Sequence, residues 1–353
     1  MNYRQEIVGH TQQLVVKLGT GLLTDLKGVL DRTKIGQICA QISELRAMGR
    51  HVVLVSSGAI AAGMGHLGMA DRPKNLPELQ AAAAIGQGKL MSLYDGIFSG
   101  LGVQVAQLLL THDDLKNRDR HLNARNTLRV LLDRNIIPII NENDTVAVDE
   151  IKFGDNDRLA ALAATLIDAD LLIILSHVEG LLNADGRVIT AVPEITRDIE
   201  RLAGDTDRAT SVGGMASKLE AAKIVTRAGV PMIIANGERD GVLKDLLAGQ
   251  DVGTIFLPKD VKLASRKRWI AFFQRPAGTV IVDDGAVQAL RENGKSLLAK
   301  GVVSTQGKFG KGELVSICDK NRVEFARGLT KVGDDELKAG SGVVVHRDDL
   351  VIL

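Results

Sequence analysis

At 353 residues the chain is long enough for one large core and a further module, since domains run about 100 to 200 residues. Its 44 Lys and Arg balance 43 Asp and Glu to a net charge of +1, which removes the electrostatic reason for nucleic acid or a membrane surface as the main partner. Aromatic residues make up 3% of the chain, so side chains that stack on bases are scarce, and no segment approaches the ~18 uncharged apolar residues of a membrane span.

Residues 1–13 mix charged and polar side chains and lack an apolar leader core, so a cytoplasmic location is expected. A first strand is predicted at Gln13–Leu18, ending in Gly19-Thr20-Gly21. A helix follows from about Asp31, with Ile35, Ile38, Ile42 and Leu45 on one face and Gly49 past its end. Cys39 shares that face and reads as a buried free thiol; with Cys318 far away, no disulfide or CxxC pair is expected. A second strand, His51–Val55, stops at Ser56-Ser57-Gly58. Helices around 79–94, 123–134, 158–167 and 215–228 then alternate with strands at 103–110, 136–140, 170–175 and 231–235. Branched apolar runs such as Ile136-Ile137-Pro138-Ile139-Ile140 suit parallel strands covered on both faces. After Thr254–Leu257 the grammar changes to short, glycine-punctuated strands at 279–282, 301–304, 313–317, 323–326 and 343–345, predicting a small β-rich unit.

Several clusters could carry chemistry. Lys17 ends the first strand with flexible backbone directly after it, at the sheet edge where open α/β folds bind ligands and where glycine lets amides approach a phosphate. A solvated lysine before an ordinary turn has the same pattern. Ser56-Ser57-Gly58-Ala59 repeats the device with hydroxyls and the start of a helix, although a plain serine cap explains a single serine. Gly63-Met64-Gly65-His66-Leu67-Gly68 matches GxGxxG, but it does not directly follow a strand and no strand ending in an acid comes after it; it is read as a chance match. The Walker A pattern GxxxxGK[ST] is absent. Asn141-Glu142-Asn143-Asp144-Thr145 and Gly154-Asp155-Asn156-Asp157 bring acids and amides to a strand end in excess of what a turn needs; they suit a substrate ammonium, a carboxylate, a magnesium ion or the orientation of lysines. Gly213-Gly214-Met215-Ala216-Ser217-Lys218 sets paired glycines at a helix start with a lysine one turn in, where both could face a phosphoryl group.

Taken in order, Val15–Thr20, Ser56–Gly63, Leu122-Asn123-Ala124-Arg125-Asn126-Thr127-Leu128, Ile140–Asp144, Gly154–Asp157 and Gly213–Met215 resemble the amino-acid kinase family, and within it the branch that phosphorylates glutamate. The resemblance spans nearly the whole chain. It implies an α/β fold, a three-layer αβα sandwich with a mostly parallel sheet, over residues 1–260. A linker at 261–276 containing Ser265-Arg266-Lys267-Arg268-Trp269 follows, then a small β-rich PUA-like domain over 277–353. PUA domains elsewhere bind RNA; neutral charge and few aromatics leave RNA binding unsupported here. The ending between Asp335 and Val343 is shorter than usual and implies the loss of a helical piece.

The implied reaction converts L-glutamate and ATP to L-glutamyl 5-phosphate, the first step of proline biosynthesis in that branch. By the same resemblance, Lys17 and Lys218 contact the ATP phosphates and Asp157 orients both lysines. Ser57, Asp144 and Asn156 bind glutamate, while Gly19 and Gly58 offer amides to the phosphoryl oxygens. Ser176, His177, Val212, Gly213, Gly214, Met215, Ala216 and Ser217 complete the nucleotide site. ATP and Mg2+ are the implied cofactors, with no protein metal ligand assigned. Proline as feedback inhibitor and a dimer or tetramer are also implied. Three positions depart from the family pattern, all on the nucleotide side: Ser176-His177 replaces Thr-Asp, the next loop is shortened to Leu182-Asn183-Ala184-Asp185-Gly186-Arg187, and Val212 replaces a threonine. Reshaped nucleotide contacts with retained transfer are expected. The alternatives are another acid kinase of this fold, acting on aspartate or N-acetylglutamate, a weakened sensor of glutamate or proline, and an RNA-binding protein.

Overall fold

Two compact units, Met1–Asp260 and Val261–Leu353, make up the computed structural model. It describes residues 3–25, 29–147, 156–204, 214–258, 267, 270–271, 276–337 and 342–353. The expected linker at 261–276 lies almost wholly outside the described residues.

The first unit is built on eight strands: β1 (Gln13–Leu18), β2 (His51–Ser56), β3 (Val105–Leu110), β4 (Ile137–Glu142), β5 (Leu171–Ser176), β6 (Ala191–Val192), β7 (Met232–Asn236) and β8 (Thr254–Phe256). They form one sheet in the order β3-β4-β2-β1-β5-β7-β8-β6. Neighbours from β3 to β7 pair parallel, and β8 runs antiparallel to β7. The helices are α1 (Tyr3–Gly9), α2 (Thr20–Leu23), α3 (Arg32–Ala47), α4 (Ala59–Leu67), α5 (Leu76–Gly100), α6 (His112–Lys116), α7 (Arg118–Asp133), α8 (Asn156–Ile167), α9 (Arg197–Gly204), α10 (Met215–Arg227) and α11 (Val242–Leu247).

Strand alternation divides the chain between two packing layers. Leu14, Val16 and Leu18 of β1 join the core formed with Ile35, Ile38, Cys39 and Ile42 of α3 and Leu90, Tyr94 and Phe98 of α5. Val15 and Lys17 point the other way, and Lys17 there meets α8. Helix starts follow local chemistry: the Asp31 carboxylate accepts from the Thr33 and Lys34 amides at α3, and Asn75 and Asn117 cap α5 and α7 in the same manner. The Leu122–Leu128 segment lies on α7 and turns only part of itself inward, with Leu122, Asn123, Asn126 and Thr127 exposed. Ala124 and Leu128 are buried, and Arg125 holds Asp168, a residue with φ of 63° just past α8, at 2.8 Å.

The GxGxxG match has a structural reason unrelated to phosphate. A Cβ on Gly63 would fall 1.8 Å from the Ala82 carbonyl oxygen, and one on Gly86 only 1.7 Å from that of Ala59. The bare backbones of α4 and α5 therefore touch, and Gly68 ends α4 in the left-handed conformation at φ 66°.

Helix α1 is not predicted by the sequence pattern. It is fixed by Val8, which enters the core, and by the buried Arg4, which donates to the carbonyls of Gln250, Val252, Thr190 and Gly253 and pairs with Asp251. Burial pulls its guanidinium below the ordinary value, against the pull of Asp251. Four carbonyl acceptors compensate that burial.

The second unit has six strands, β9 (Gly278–Val282), β10 (Leu297–Leu298), β11 (Val302–Gln306), β12 (Leu314–Cys318), β13 (Glu324–Thr330) and β14 (Val343–Ile352), in the order β10-β14-β13-β12-β9-β11. Among the described residues of this unit, only β9 and β12 pair parallel. Val280, Val282, Phe309, Val315, Ile317 and Phe325 fill its core. The expected strands all occur, β14 running well past Val345. In the short ending a single turn of helix, Asp334–Leu337, precedes residues outside the description. Among the described residues, no helix is long and apolar enough to cross a membrane.

Candidate active site

In this sheet order β2 lies on one side of β1 and β5 on the other, so the chain leaves β1 and β5 in opposite directions. A crevice opens at the carboxyl ends of such strands. Gly19 bridges it, its amide donating to the Leu175 carbonyl at 3.1 Å. A Cβ on Gly19 would come into ordinary contact with that carbonyl, at 3.5 Å, and with Lys17 Nζ, at 3.9 Å.

At the crevice Asp157, in the first turn of α8, is fully buried between two buried lysines. Its Oδ1 lies 2.5 Å from Lys17 Nζ, and its Oδ2 lies 3.1 Å from Lys218 Nζ and accepts the Ser217 hydroxyl at 2.8 Å. Burial pushes the Asp157 carboxyl up, but the charges of Lys17 and Lys218 and the bonds from Lys17 and Ser217 outweigh it, and the group is held below the ordinary carboxylate range. Two ammoniums around one carboxylate give the trio a net positive charge at a ligand-binding edge. Helix α10 adds to it: Gly214 caps its N-terminus without a side-chain bond, so the amides of Met215, Ala216 and Ser217 carry the positive end of the helix dipole.

Beside the trio lies a row of buried polar side chains. Asn156, next to Asp157, donates through Nδ2 to the Ser56 carbonyl, to Ser57 Oγ and to Asn141 Oδ1 at 2.9, 3.1 and 2.8 Å. Asn141 in turn donates to Gln87 Oε1 at 2.7 Å. Ser56 Oγ and the Tyr94 hydroxyl are 2.9 Å apart. Gly58 follows with φ of 94°, a conformation that suits glycine, and caps the start of α4 without a side-chain bond. Asp144 stands half-buried three residues beyond Asn141; burial pushes its carboxyl up to about 6, against the pull of Arg72.

The structure thus brings Lys17, Asp157, Lys218 and Ser217 into one cluster and Ser57 and Asn156 into an adjoining one. Ser176 is buried at the end of β5 and His177 is exposed beyond it. Val212 and Gly213, like Gly154 and Asp155, lie outside the described residues. Ser217, expected beside the nucleotide, has its hydroxyl on Asp157. Sequence reasoning did not assign Asn141 a role, although it named the run containing it, and gave Gln87 and Tyr94 no part beyond the helix predicted around 79–94. Nothing in an alanine-rich helix marks a glutamine as a partner of an asparagine 54 positions away.

Among the described residues no three His, Cys, Asp or Glu side chains converge as metal ligands, and both oxygens of Asp157 are engaged by the lysines and Ser217.

Fold and site together define a phosphoryl-transfer class built on paired lysines. The amino acid kinase family matches residues 12–236, and a PUA domain matches 278–347. A carbamate kinase from Giardia lamblia bound to AMP-PNP superposes with a TM-score of 0.51 at 20% identity, over 71% of this chain and 99% of that one, a likeness of fold. Curated proteins named glutamate 5-kinase are far nearer in sequence. That of Pelobacter propionicus is 47% identical over 99% of this chain and 100% of its own length, and that of Geobacter sulfurreducens 46% over the same shares. The chain belongs to the amino acid kinase family, in its glutamate 5-kinase branch.

Proposed function

We propose that the protein transfers the terminal phosphoryl group of ATP to the side-chain carboxylate of L-glutamate, giving L-glutamyl 5-phosphate and ADP, the entry reaction toward proline. The observation that carries the reading is the Lys17–Asp157–Lys218 cluster set directly beside the Ser57–Asn156 pair at the switch point of the sheet. A carboxylate oxygen of glutamate attacks the γ-phosphorus as the bond to the β–γ bridging oxygen breaks, and ADP leaves. The attacking oxygen is ionised at neutral pH, so no general base is needed. The obstacle is repulsion between anions, and the site supplies fixed positive charge against it.

In this reading Lys17 and Lys218 neutralise the transferring group and its leaving oxygen, while Asp157 holds both ammoniums at fixed separation. The amides at Gly19, Gly58 and the start of α10 stabilise the equatorial oxygens. Ser57, Asn156 and Asp144 hold the amino acid. Ser176, His177 and the segment through Val212 shape the nucleotide half. Magnesium accompanies the nucleotide, and its contribution when bound is to neutralise phosphate charge.

The direct test is ADP release with magnesium across a panel of glutamate, aspartate and N-acetylglutamate. Turnover with glutamate alone is expected; turnover with aspartate and none with glutamate rejects the assignment. The pH profile gives an independent check. An acid whose folded pKa is raised, as for Asp144, is protonated as pH falls through about 6. The substrate ammonium then loses its counter-charge, so kcat/KM for glutamate should fall roughly tenfold per pH unit below that point. Asp144→Asn should remove this limb and start from a lower plateau.

A further inference from the structure

Backbone N–H groups can only donate, and this sets the polarity of the whole acceptor pocket. The Glu142 amide donates to Asn141 Oδ1 at 2.9 Å, so the atom Asn141 turns toward Gln87 is its nitrogen, and Gln87 must answer with its oxygen at 2.7 Å. Asn141 Oδ1 then also receives Asn156 Nδ2 at 2.8 Å. With the two protons of its nitrogen shared among Asn141 Oδ1, the Ser56 carbonyl and, at the longest distance, Ser57 Oγ, Asn156 keeps its carbonyl oxygen for an incoming ligand. Ser57 Oγ accepts from Asn156, which leaves the hydroxyl proton to be donated. An acceptor facing an ammonium and a donor facing a carboxylate are what a zwitterionic amino acid requires.

Gln87 reaches this row because Gly86, with no side chain, lets α5 press against the first turn of α4 at Ala59 and Gly63. A larger residue at position 86 would move α5 away from the ends of β2 and β4. The close helix crossing and the polar row are thus one construction.

We infer that Gln87 is a positioning residue for acceptor recognition: by taking the Asn141 proton it holds the amide row in the one orientation that presents the Asn156 carbonyl and the Ser57 hydroxyl to the amino acid. The inference rests on the acceptor reading above and extends it to a residue on another element. Without Gln87, the Asn141 nitrogen loses that acceptor, and the Asn141 amide is held through its oxygen alone, by the Glu142 amide and Asn156 Nδ2, so its plane is less firmly fixed toward Asn156.

Steady-state kinetics on the full-length protein test this. Gln87→Leu is expected to raise KM for glutamate about tenfold, the cost of one broken, partly buried hydrogen bond, with kcat and KM for ATP little changed. The unchanged ATP value reports that the nucleotide half remains folded. Gln87→Glu keeps an accepting oxygen and should restore most of the affinity. In an Asn141→Ala background, Gln87→Leu should add nothing, because its effect passes through Asn141. Additive losses in that cycle, an unchanged glutamate KM in Gln87→Leu, or a Gln87→Glu variant worse than Gln87→Leu each overturn the inference. Absence of glutamate-dependent ADP release by the unaltered protein removes the acceptor reading itself, an outcome separate from these.

Discussion

Asp157→Asn is expected to cost the protein about 3 kcal/mol of stability at neutral pH and to lower kcat by about 10²- to 10³-fold. The carboxylate is fully buried and shares its two oxygens between Lys17 and Lys218 at 2.5 and 3.1 Å. An asparagine there leaves two buried ammoniums facing each other with only a carbonyl between them. Both will move toward solvent, and the geometry that cancels phosphate charge goes with them. The pH dependence separates this from a general packing defect. The folded carboxyl is held below its ordinary value of 3.8, so its stabilisation is fully present above that value and is lost as pH falls through the folded pKa. Denaturant unfolding at neutral pH should therefore show the full gap between variant and parent, and the gap should close in strong acid. A gap that persists unchanged below pH 3 speaks against the ion-pair account.

Lys17→Met and Lys218→Met should each reduce kcat by about 10³-fold while leaving glutamate affinity within a few-fold of the parent. Methionine keeps most of the buried side-chain length and removes only the charge. In each variant the other lysine still pairs with Asp157, so the fold should survive better than in Asp157→Asn. The division of effects is the informative part. Single-turnover measurements should place the loss in the chemical step, and calorimetry should show glutamate still bound. A protein that senses glutamate without phosphorylating it has no turnover to lose, so binding retained with parental ADP release absent from the start would favour that alternative.

Much of the scaffold was legible in the residues themselves. Gln13–Leu18 and His51–Ser56 are short branched apolar runs closed by glycine or serine, and they form adjacent parallel strands as expected. Asp31 starts α3, because a carboxylate just ahead of an amphipathic repeat has two orphan amides to accept. Fold class and family membership were readable for the same reason: the glycine turns and the acid-and-amide run are local patterns. The helix ends were less well judged. α5 extends from Leu76 to Gly100, beyond the alanine-rich stretch that marked it, because Asn75 and Pro77 start it early and Phe98 continues its buried face.

What the sequence determined alone was the list of reactive groups and their strand-end positions, since these depend on neighbours a few residues apart. Tertiary structure decided which of them meet. Lys17 stands 140 positions before Asp157 and Lys218 61 positions after it, and they converge only because β1 turns Lys17 toward α8 and α10 packs beside it. Gly63 stood in a GxGxxG run read as a chance match, and the crossing of α4 and α5 gives it, and Gly86 opposite, a packing reason. That crossing also brings Gln87 to Asn141. Hydrogen bonds and ion pairs act over about 3 Å, a distance that chain order does not encode and that only packing sets.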